Sequence, residues 1–431
     1  MFRLILSAFL IQCLLLQPVW GAEWYVDHLN GSDTNPGTKE KPFQSFAHSL
    51  KMLKGGDTLH LTPLDEPYTE RFGHLRPQHA GTKEKPTIIE GNGAKLSRMT
   101  RFTEDEWTSL GKDIFATKFE NNVISMSGQG YYSGFPFVFA DGEPLQPVAS
   151  FNDLKPGTCF LVLKWHRELG LHDPLHKMLY IRLPEGKTPT NTVIKAPLSS
   201  NLAVETHHVI VRNLVAEWSA SDNFDSAHGE GIVFENIDSS YTMNQGLSAH
   251  STAGFEVRFS RFRTSIDGGV LDVVFKDEHV TRGKYFGCVF EDNTRQGGAG
   301  FQGGNGPARS EYLVESCVFR NNEGQAVNVS KTATVTLRNT VIVNGDTKAK
   351  VALIASDDAI VVLENCTIIG FPTPLAAHVR ARIKAINCKF IDCGQPGGAA
   401  VANIEIVEGD ATGSTLPLDA DVKTLRELLS K

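Results

Sequence analysis

The sequence lacks an excess of basic residues, and after residue 16 it lacks any long apolar run. It contains 42 Lys and Arg against 49 Asp and Glu, which gives a formal net charge of −7 at pH 7. Without a net positive field to attract phosphates, a general nucleic-acid binder is excluded. No segment beyond residue 16 is long and apolar enough to cross a bilayer, so we expect no stable membrane insertion.

The sequence also lacks three familiar site motifs. It has seven cysteines but no Cys-x-x-Cys pair, which leaves a structural zinc site without support. The glycine-rich stretch "QGGAGFQGGNGP" has no Lys-Ser or Lys-Thr, and therefore does not read as a phosphate-binding loop. There is no Gly-x-Ser-x-Gly elbow, so a serine hydrolase of that type is not indicated.

The first 22 residues are typical of a secretory signal peptide. Arg3 is followed by an apolar run from Leu4 to Leu16 and by a break at Gln17 and Pro18. The run is too short for a membrane span. Removing this segment takes away Arg3, which leaves 41 basic against 49 acidic residues, a net charge of −8. We expect a monomer that is secreted, in the sense of extracellular or periplasmic.

From residue 207 onward one short phrase recurs, in which apolar residues alternate before an Asn or another small or polar residue. The anchors of this phrase follow one another at intervals of 22 to 29 residues: Asn213, Asn236, Arg261, Gly287, Ser316, Asn339, Asn365 and Asn387. Period-2 alternation inside such a repeat, without amphipathic helices between the phrases, predicts a coil of parallel strands about 4.8 Å apart. Four cysteines directly follow an anchor, and we interpret them mostly as an interior column of free thiols, with a disulfide between neighbouring turns as the open alternative: Cys288, Cys317, Cys366 and Cys388.

This pattern resembles the right-handed parallel β-helix family of the pectate-lyase type. The resemblance implies an all-β fold: a single-stranded right-handed parallel β-helix, or solenoid, with a β-rich insertion and short capping helices. The corresponding segments are a signal peptide at 1–22, an N-terminal cap with the first turns at 23–99, the insertion at 100–198, the β-helix at 199–412 and a C-terminal helical cap at 413–431.

Alternation within the repeat also predicts a column of outward-facing polar residues. In "GLSAHS", Leu247 and Ala249 suit the interior, which leaves Ser248 and His250 outside. The same register along the coil gives this column: His228, His250, Asp272, Gln302, Asn328, Ser356 and His378. A solvated ladder explains why Ser-Ala-His returns. Three titratable groups about 5 Å apart on rigid strands also resemble a prepared site.

Acidic and basic groups together suit β-elimination on an acidic, uronate-containing polysaccharide. We expect such a polysaccharide to be the partner of this protein. Such a reaction needs a cation to neutralise the uronate, a base and an acid. Asp267, Asp272 and Lys276 resemble the acidic-then-lysine pattern of chondroitinase B and alginate lyases of this fold. We therefore interpret Lys276 as the base, with His250 as its rival, and Arg282 or His228 as the acid or the carboxylate-binding group.

The remaining assignments complete this hypothesis. Asp225 and Asp267 would hold calcium, with Asp272 as a further ligand or an orienting group, and Asp222, Gln302 and Asn328 would contact substrate. Three alternatives stay open on the same fold. They are a glycoside hydrolase that uses the carboxylates, a uronate epimerase, and a non-catalytic carbohydrate-binding or cell-surface β-helix.

Overall fold

The structure is a computed structural model that describes residues 21–70, 73–119, 137–162, 177–273, 280–294, 300–345, 347–407 and 413–430. Residues 1–20 of the predicted signal peptide and the predicted base Lys276 lie outside the described residues. None of the helices in the described ranges is long and apolar enough to cross a membrane.

The N-terminal segment starts the coil and carries one helix, α1 (Phe46–Met52), which begins where the Ser45 side chain accepts the His48 N–H. Its strands are β1 (Glu23–Val26), β2 (Thr58–Leu61), β3 (His74–Leu75), β4 (Thr87–Glu90) and β5 (Lys95–Ser97). Parallel pairing of β1 with β2 and of β2 with β4 forms the first stacked turns.

An eight-stranded sheet interrupts the coil. Its strands are β6 (Met99–Arg101), β7 (Thr108–Gly111), β8 (Ile114–Phe119), β9 (Val138–Ala140), β10 (Glu143–Pro147), β11 (Thr158–Val162), β12 (Lys177–Arg182) and β13 (Ile194–Pro197). Apart from one parallel pair, β10 with β11, its pairings are antiparallel. The core of this sheet includes Ala220 and Met243 from the coil, so the insertion packs directly on the flank of the solenoid.

The coil continues through 23 further strands. They are β14 (Leu202–Val204), β15 (Val209–Ser219), β16 (Phe224–Ala227), β17 (Glu230–Thr242), β18 (Leu247–His250), β19 (Gly254–Arg258), β20 (Arg261–Ser265), β21 (Val270–Val273), β22 (Thr281–Phe286), β23 (Val289–Glu291), β24 (Phe301–Asn305), β25 (Ser310–Glu315), β26 (Val318–Arg320), β27 (Val327–Val329), β28 (Thr334–Arg338), β29 (Val341–Val343), β30 (Val351–Ala355), β31 (Ile360–Glu364), β32 (Thr367–Ile369), β33 (Thr373–Ala377), β34 (Arg382–Ile386), β35 (Lys389–Ile391) and β36 (Ile404–Val407). Short 3₁₀ turns lie at Pro77–His79, Glu104–Glu106, Phe151–Asp153 and Val401–Asn403.

These strands form two parallel sheets around one apolar core. A nine-stranded sheet runs β3-β14-β16-β18-β21-β24-β27-β30-β33, and a nineteen-stranded sheet, the larger sheet, forms the remaining wall. The predicted anchor position in the larger sheet is a bend at a residue with a left-handed backbone: Asn213, Asn236, Phe259, Gly287, Ser316, Asn339, Asn365 and Asn387. Asn and Gly suit this bend because they tolerate positive φ at low cost.

The third bend is at Phe259, so the predicted anchor Arg261 is wrong. Phe259 has φ of 47°, and Arg261 is instead the first residue of the next strand, β20. The sequence rule looked for a small or polar residue at the bend. Here an aromatic ring occupies it, with its edge packed against Phe286 at 5.4 Å between ring centroids.

From the third bend onward, the residue after the bend has a polar or thiol side chain that joins a hydrogen-bonded ladder inside the coil. Ser260 Oγ accepts the Ile237 N–H at 3.2 Å, Cys317 Sγ accepts the Cys288 N–H at 3.4 Å, and Thr340 Oγ1 accepts the Cys317 N–H at 3.4 Å. The side chains also donate to carbonyls two residues earlier, as Ser260 does to Arg258. The ladder therefore pairs backbone groups at the bend, and the six cysteines described are free thiols.

The C-terminal helix α2 (Val422–Leu429) begins where the Asp421 carboxylate accepts the Thr424 N–H at 2.7 Å. Its Leu425 packs with Val289 and Val318 on the flank of the coil. The helix therefore does not cover the last turn of the coil, which a C-terminal helical cap at 413–431 would do. An amphipathic helix needs an apolar stripe, and the outward-facing valines of β23 and β26 supply one several turns before the end of the coil.

Candidate functional site

Three titratable side chains converge on the outer side of the nine-stranded sheet. One ligand atom each of Asp222, Asp225 and His250 lies within 4.8 Å of the other two. His250 Nε2 is 3.6 Å from Asp225 Oδ1 and 2.8 Å from Ser248 Oγ. Parallel pairing of β16 with β18 fixes this arrangement, because it sets Asp225 beside Ser248. We call Asp222, Asp225 and His250 the acid–histidine cluster.

Asp222 is the buried member of the cluster. It lies in the turn before β16, where its Oδ1 accepts the Asn244 Nδ2–H at 2.8 Å and the Gln245 N–H at 3.0 Å. Its exposed fraction is only 3%, whereas the side chains of Asp225 and His250 are 22% and 29% exposed. Only Asp225 and His250 therefore offer their side chains to a ligand.

The cluster has strongly perturbed acidities. Burial, and next the charge of Glu205, raise the pKa of Asp225 to about 7, although the charges of His74 and His228 act in the opposite direction. Burial and the nearby Asp225 carboxylate raise the pKa of Asp222 well above its usual value, and burial lowers the pKa of His250. Near neutral pH, Asp225 thus carries a proton part of the time and His250 is mostly neutral.

The contacts of His250 do not form a Ser-His-Asp relay. Both Ser248 Oγ and Asp225 Oδ1 approach the same nitrogen, Nε2. In a relay the acid holds one ring nitrogen and the nucleophile uses the other. Ser248 is also buried, so the arrangement is an acid–base pair rather than an activated serine.

Asp272 does not lie in the outward column, and that prediction is wrong. It pairs with Ala249, is fully buried, and accepts a hydrogen bond from the Tyr312 hydroxyl inside the coil. Its strand is set by Val270, which packs in the core beneath Leu247. Alternation then turns Asp272 inward, where burial raises its pKa well above the usual value.

The two Ser-Ala-His segments are not equivalent in the coil. Ser226 pairs with Ala249 and Ala227 pairs with His250, so the segments are out of register by one residue. The prediction that His228 shares the column position of His250 is therefore wrong. His228 instead follows the end of β16, with φ of 54°. It remains close to the cluster, because its N–H donates to the His250 carbonyl at 3.1 Å.

The other predicted site residues lie apart. Arg282 is on the larger sheet, where its Nε donates to Glu311 Oε2 at 3.1 Å. Asp267 precedes β21 and accepts the Gln245 Nε2–H at 2.8 Å. Gln302 and Asn328 share the column of Asp225, but three and four strands further along.

Sequence reasoning missed the residues that hold Asp222. Asn244 and Gln245 occupy the turn before β18, as Asp222 and Asn223 do before β16. The signal was present in the sequence, since two amide side chains precede the Gly-Leu of "NQGLSAHS". The repeat could have placed them beside Asp222, one turn away.

Residues 284–403 match the family model described as a right handed beta helix region. No curated protein matches the sequence. Among solved structures, a glycoside hydrolase is similar with 11% identity over 93% of this chain and 100% of that one, at a TM-score of 0.51. An alginate lyase from Paenibacillus sp. str. FPU-7 has 11% identity over 84% and 96% of the two chains, at a TM-score of 0.49. The pectate lyase Pel9A has 10% identity over 92% and 83%, at a TM-score of 0.47.

These similarities concern the fold. Together with the stacked parallel sheets, the family-model match and the glycoside hydrolase structure confirm the predicted right-handed parallel β-helix.

Proposed function

We propose that the chain is a carbohydrate-active enzyme that cleaves an acidic, uronate-containing polysaccharide by β-elimination at the acid–histidine cluster. The observation that carries the proposal is the pairing of Asp225 with His250. Of the three clustered groups, these two reach the surface. Near neutral pH the Asp225 carboxyl group carries a proton part of the time and the His250 imidazole is mostly unprotonated, as a general acid and a general base require.

In β-elimination a base removes the proton beside the uronate carboxylate, and the glycosidic C–O bond breaks as a C=C bond forms. His250, neutral because burial lowers its pKa, takes that proton. Asp225 gives its proton to the leaving oxygen. Glu205 supports this role, since its negative charge disfavours ionisation of Asp225. The exposed His228 is placed to meet the uronate carboxylate.

A polymeric substrate suits the column that begins at Asp225. Ser248, Leu271, Gln302 and Asn328 continue it along the coil axis, with about 4.8 Å between adjacent strands, and Asn328 is the most exposed of these four. The column thus follows the direction in which an extended saccharide would lie. The glycoside hydrolase with the same fold supports the carbohydrate class of ligand.

Calcium fits this cluster poorly. The predicted ligands Asp225 and Asp267 do not come together: Asp267 accepts the Gln245 amide, and the partners close to Asp225 are Asp222 and the His250 imidazole. Calcium prefers a shell made of oxygen atoms. No step above is therefore assigned to calcium, and calcium dependence stays a prediction that a chelator would test.

A glycoside hydrolase is the second candidate, because oxygens of Asp222 and Asp225 lie within 4.8 Å of each other. Hydrolysis needs two carboxyl groups that both reach the scissile bond or its water. Asp222 is buried and its Oδ1 already accepts two hydrogen bonds. The geometry therefore favours elimination over hydrolysis.

The test is an assay of the full chain on polygalacturonate, alginate and chondroitin, read by ultraviolet absorbance of the unsaturated product and by reducing ends. We expect absorbance to rise on one of them, and Asp225→Asn and His250→Gln to abolish the rise. The exposed Asp358→Asn, on a distant turn, is the matched control. Reducing ends without absorbance would establish a hydrolase, and full activity of both cluster variants would remove the cluster from the mechanism.

A further inference from the structure

A second concave surface lies on the outer side of the larger sheet. It has a cavity volume of about 490 Å³ and crosses strands β15, β17, β19 and β22. Its charged lining is mainly cationic: Lys83, Arg258, Arg282 and Lys284, with Glu256 as the acidic member. We call this surface the basic groove. Its volume is in the range of about 300–1,000 Å³ that is usual for ligand sites.

Among the described residues, cations exceed carboxylates in the basic groove even after internal pairing. Arg258 Nε donates to Glu256 Oε2 at 2.9 Å, and Lys284 Nζ lies 3.5 Å from Glu256 Oε1. Burial raises the pKa of Glu256, but these two cations outweigh it and the pKa is lowered, so Glu256 is ionised. The Glu256 carboxylate is thus paired with two cations, and Arg282 is paired with Glu311. The excess is local, on a chain whose net charge is −7.

The floor of the basic groove is apolar and low. Ile210 and Val233 contribute aliphatic surface, and Gly231 and Gly254 contribute no side chain. A Cβ atom at Gly254 would meet open space. Four stacked strands span about 14 Å, which is longer than a single small anion requires. Apolar floor, cationic rim and length together suit a chain of sugar rings that carry negative charges.

We propose that the basic groove is a second binding site for an anionic glycan, separate from the acid–histidine cluster. This inference rests on the proposed function for its choice of ligand class. The two sites lie on adjacent faces of the same turns, since β16 leads into β17 and β18 leads into β19 within a few residues. The site holds the polymer on the protein while the cluster acts on another segment of it.

The repeat supplies a matched pair of variants. Arg282 and Lys284 on β22 share their register with Arg382 and Lys384 on β34, four strands away on the same sheet. We would compare Arg282→Ser/Lys284→Ser with the control Arg382→Ser/Lys384→Ser. Affinity electrophoresis would use polygalacturonate, dextran sulfate, neutral dextran and poly-glutamate. The cluster variant Asp225→Asn would be included to separate binding from cleavage.

We expect the wild type to bind polygalacturonate or dextran sulfate, more weakly as salt rises, and not neutral dextran. The groove variant should bind roughly tenfold more weakly, and the control should bind like the wild type. Comparing dextran sulfate with polygalacturonate distinguishes recognition of sulfate groups from recognition of carboxylate groups. Equal binding by groove variant and wild type, absence of binding to any anionic glycan, or preference for poly-glutamate would each overturn the proposal. Binding lost in the groove variant without cleavage of any substrate would instead count against the proposed function alone.

Discussion

The early and late turns of the nine-stranded sheet have the same backbone arrangement, but equivalent outward positions carry polar residues in the early turns compared and apolar residues in the late ones. In one column, the early strands place Asp225 and Ser248, and the late strands place Ile354 and Ala376. The pairing register continues along this column. The backbone of the coil therefore provides positions about 4.8 Å apart, and the residue type in each turn determines the chemistry at its position. A site on this fold is a local exception to the repeat.

The largest expected effect comes from removing the acid in an early turn and comparing it with a change in the same column later on. Asp225→Asn should lower the cleavage rate roughly 10²- to 10⁴-fold, because it removes a general acid. Asn328→Ala, which removes a single neutral hydrogen-bonding group, should lower it by about tenfold or less. Steady-state rates on the best substrate measure both, and equal losses would mean that the column acts as one binding surface.

The pH profile separates the acid from the base in the cluster. Asp225 must keep its proton, and its pKa is raised to about 7. His250 must lack its proton, and its pKa is lowered. The rate should therefore fall about tenfold per pH unit above pH 7 and fall again below the pKa of His250. Rates that continue to rise up to strongly alkaline pH would contradict the assignment of Asp225.

The interior ladder should respond to chemistry rather than to size alone. Cys317→Ala removes the acceptor of the Cys288 N–H and should lower the free energy of unfolding by about 1–3 kcal/mol. Cys317→Ser should cost less, because Ser260 already fills the equivalent position and accepts the Ile237 N–H. Urea unfolding of the two variants measures this. Similar losses for Ala and Ser would show that volume, not hydrogen bonding, sets the ladder.

The smallest effect concerns Asp272, the acid that faces inward. Its folded pKa is raised above the usual 3.8, so the folded state binds the proton more tightly and the wild type loses stability as pH rises above about 4. Asp272→Asn removes this loss and keeps an acceptor for Tyr312. Its free energy of unfolding should exceed that of the wild type at pH 8, by a margin that shrinks towards pH 4. A margin independent of pH would contradict burial of a neutral acid.

The fold could be predicted from the sequence because two local signals mark each repeat. They are the alternation of apolar residues and the presence of a residue that tolerates positive φ at the bend. Asn213, Asn236 and Asn339 each occupy a left-handed bend, and Cys288 and Cys317 lie in the core. The exception, Phe259, depends on packing against Phe286, which no local pattern announces.

The candidate site was only partly predictable because register errors of one residue exchange the two faces of a strand. Ser226 and Ala227 are small and suit either face, so alternation alone could not align His228 with its neighbours. Asp272 was expected outside because the register of the Ser-Ala-His segment was continued along the coil. Its inward partner, Tyr312, lies 40 residues further along the chain.

The C-terminal tail has a consequence for how the molecule unfolds. A repeat coil in which each turn touches only its neighbours loses turns one by one from its ends. Here Ser414 bonds with Thr367 and Asn339, Leu425 packs with Val289 and Val318, and Arg426 lies 5.1 Å from the centre of the Phe259 ring. The tail thus ties turns that are more than 100 residues apart in sequence. Fraying of the late turns is thereby coupled to the early ones, which makes unfolding more cooperative than a simple stack allows.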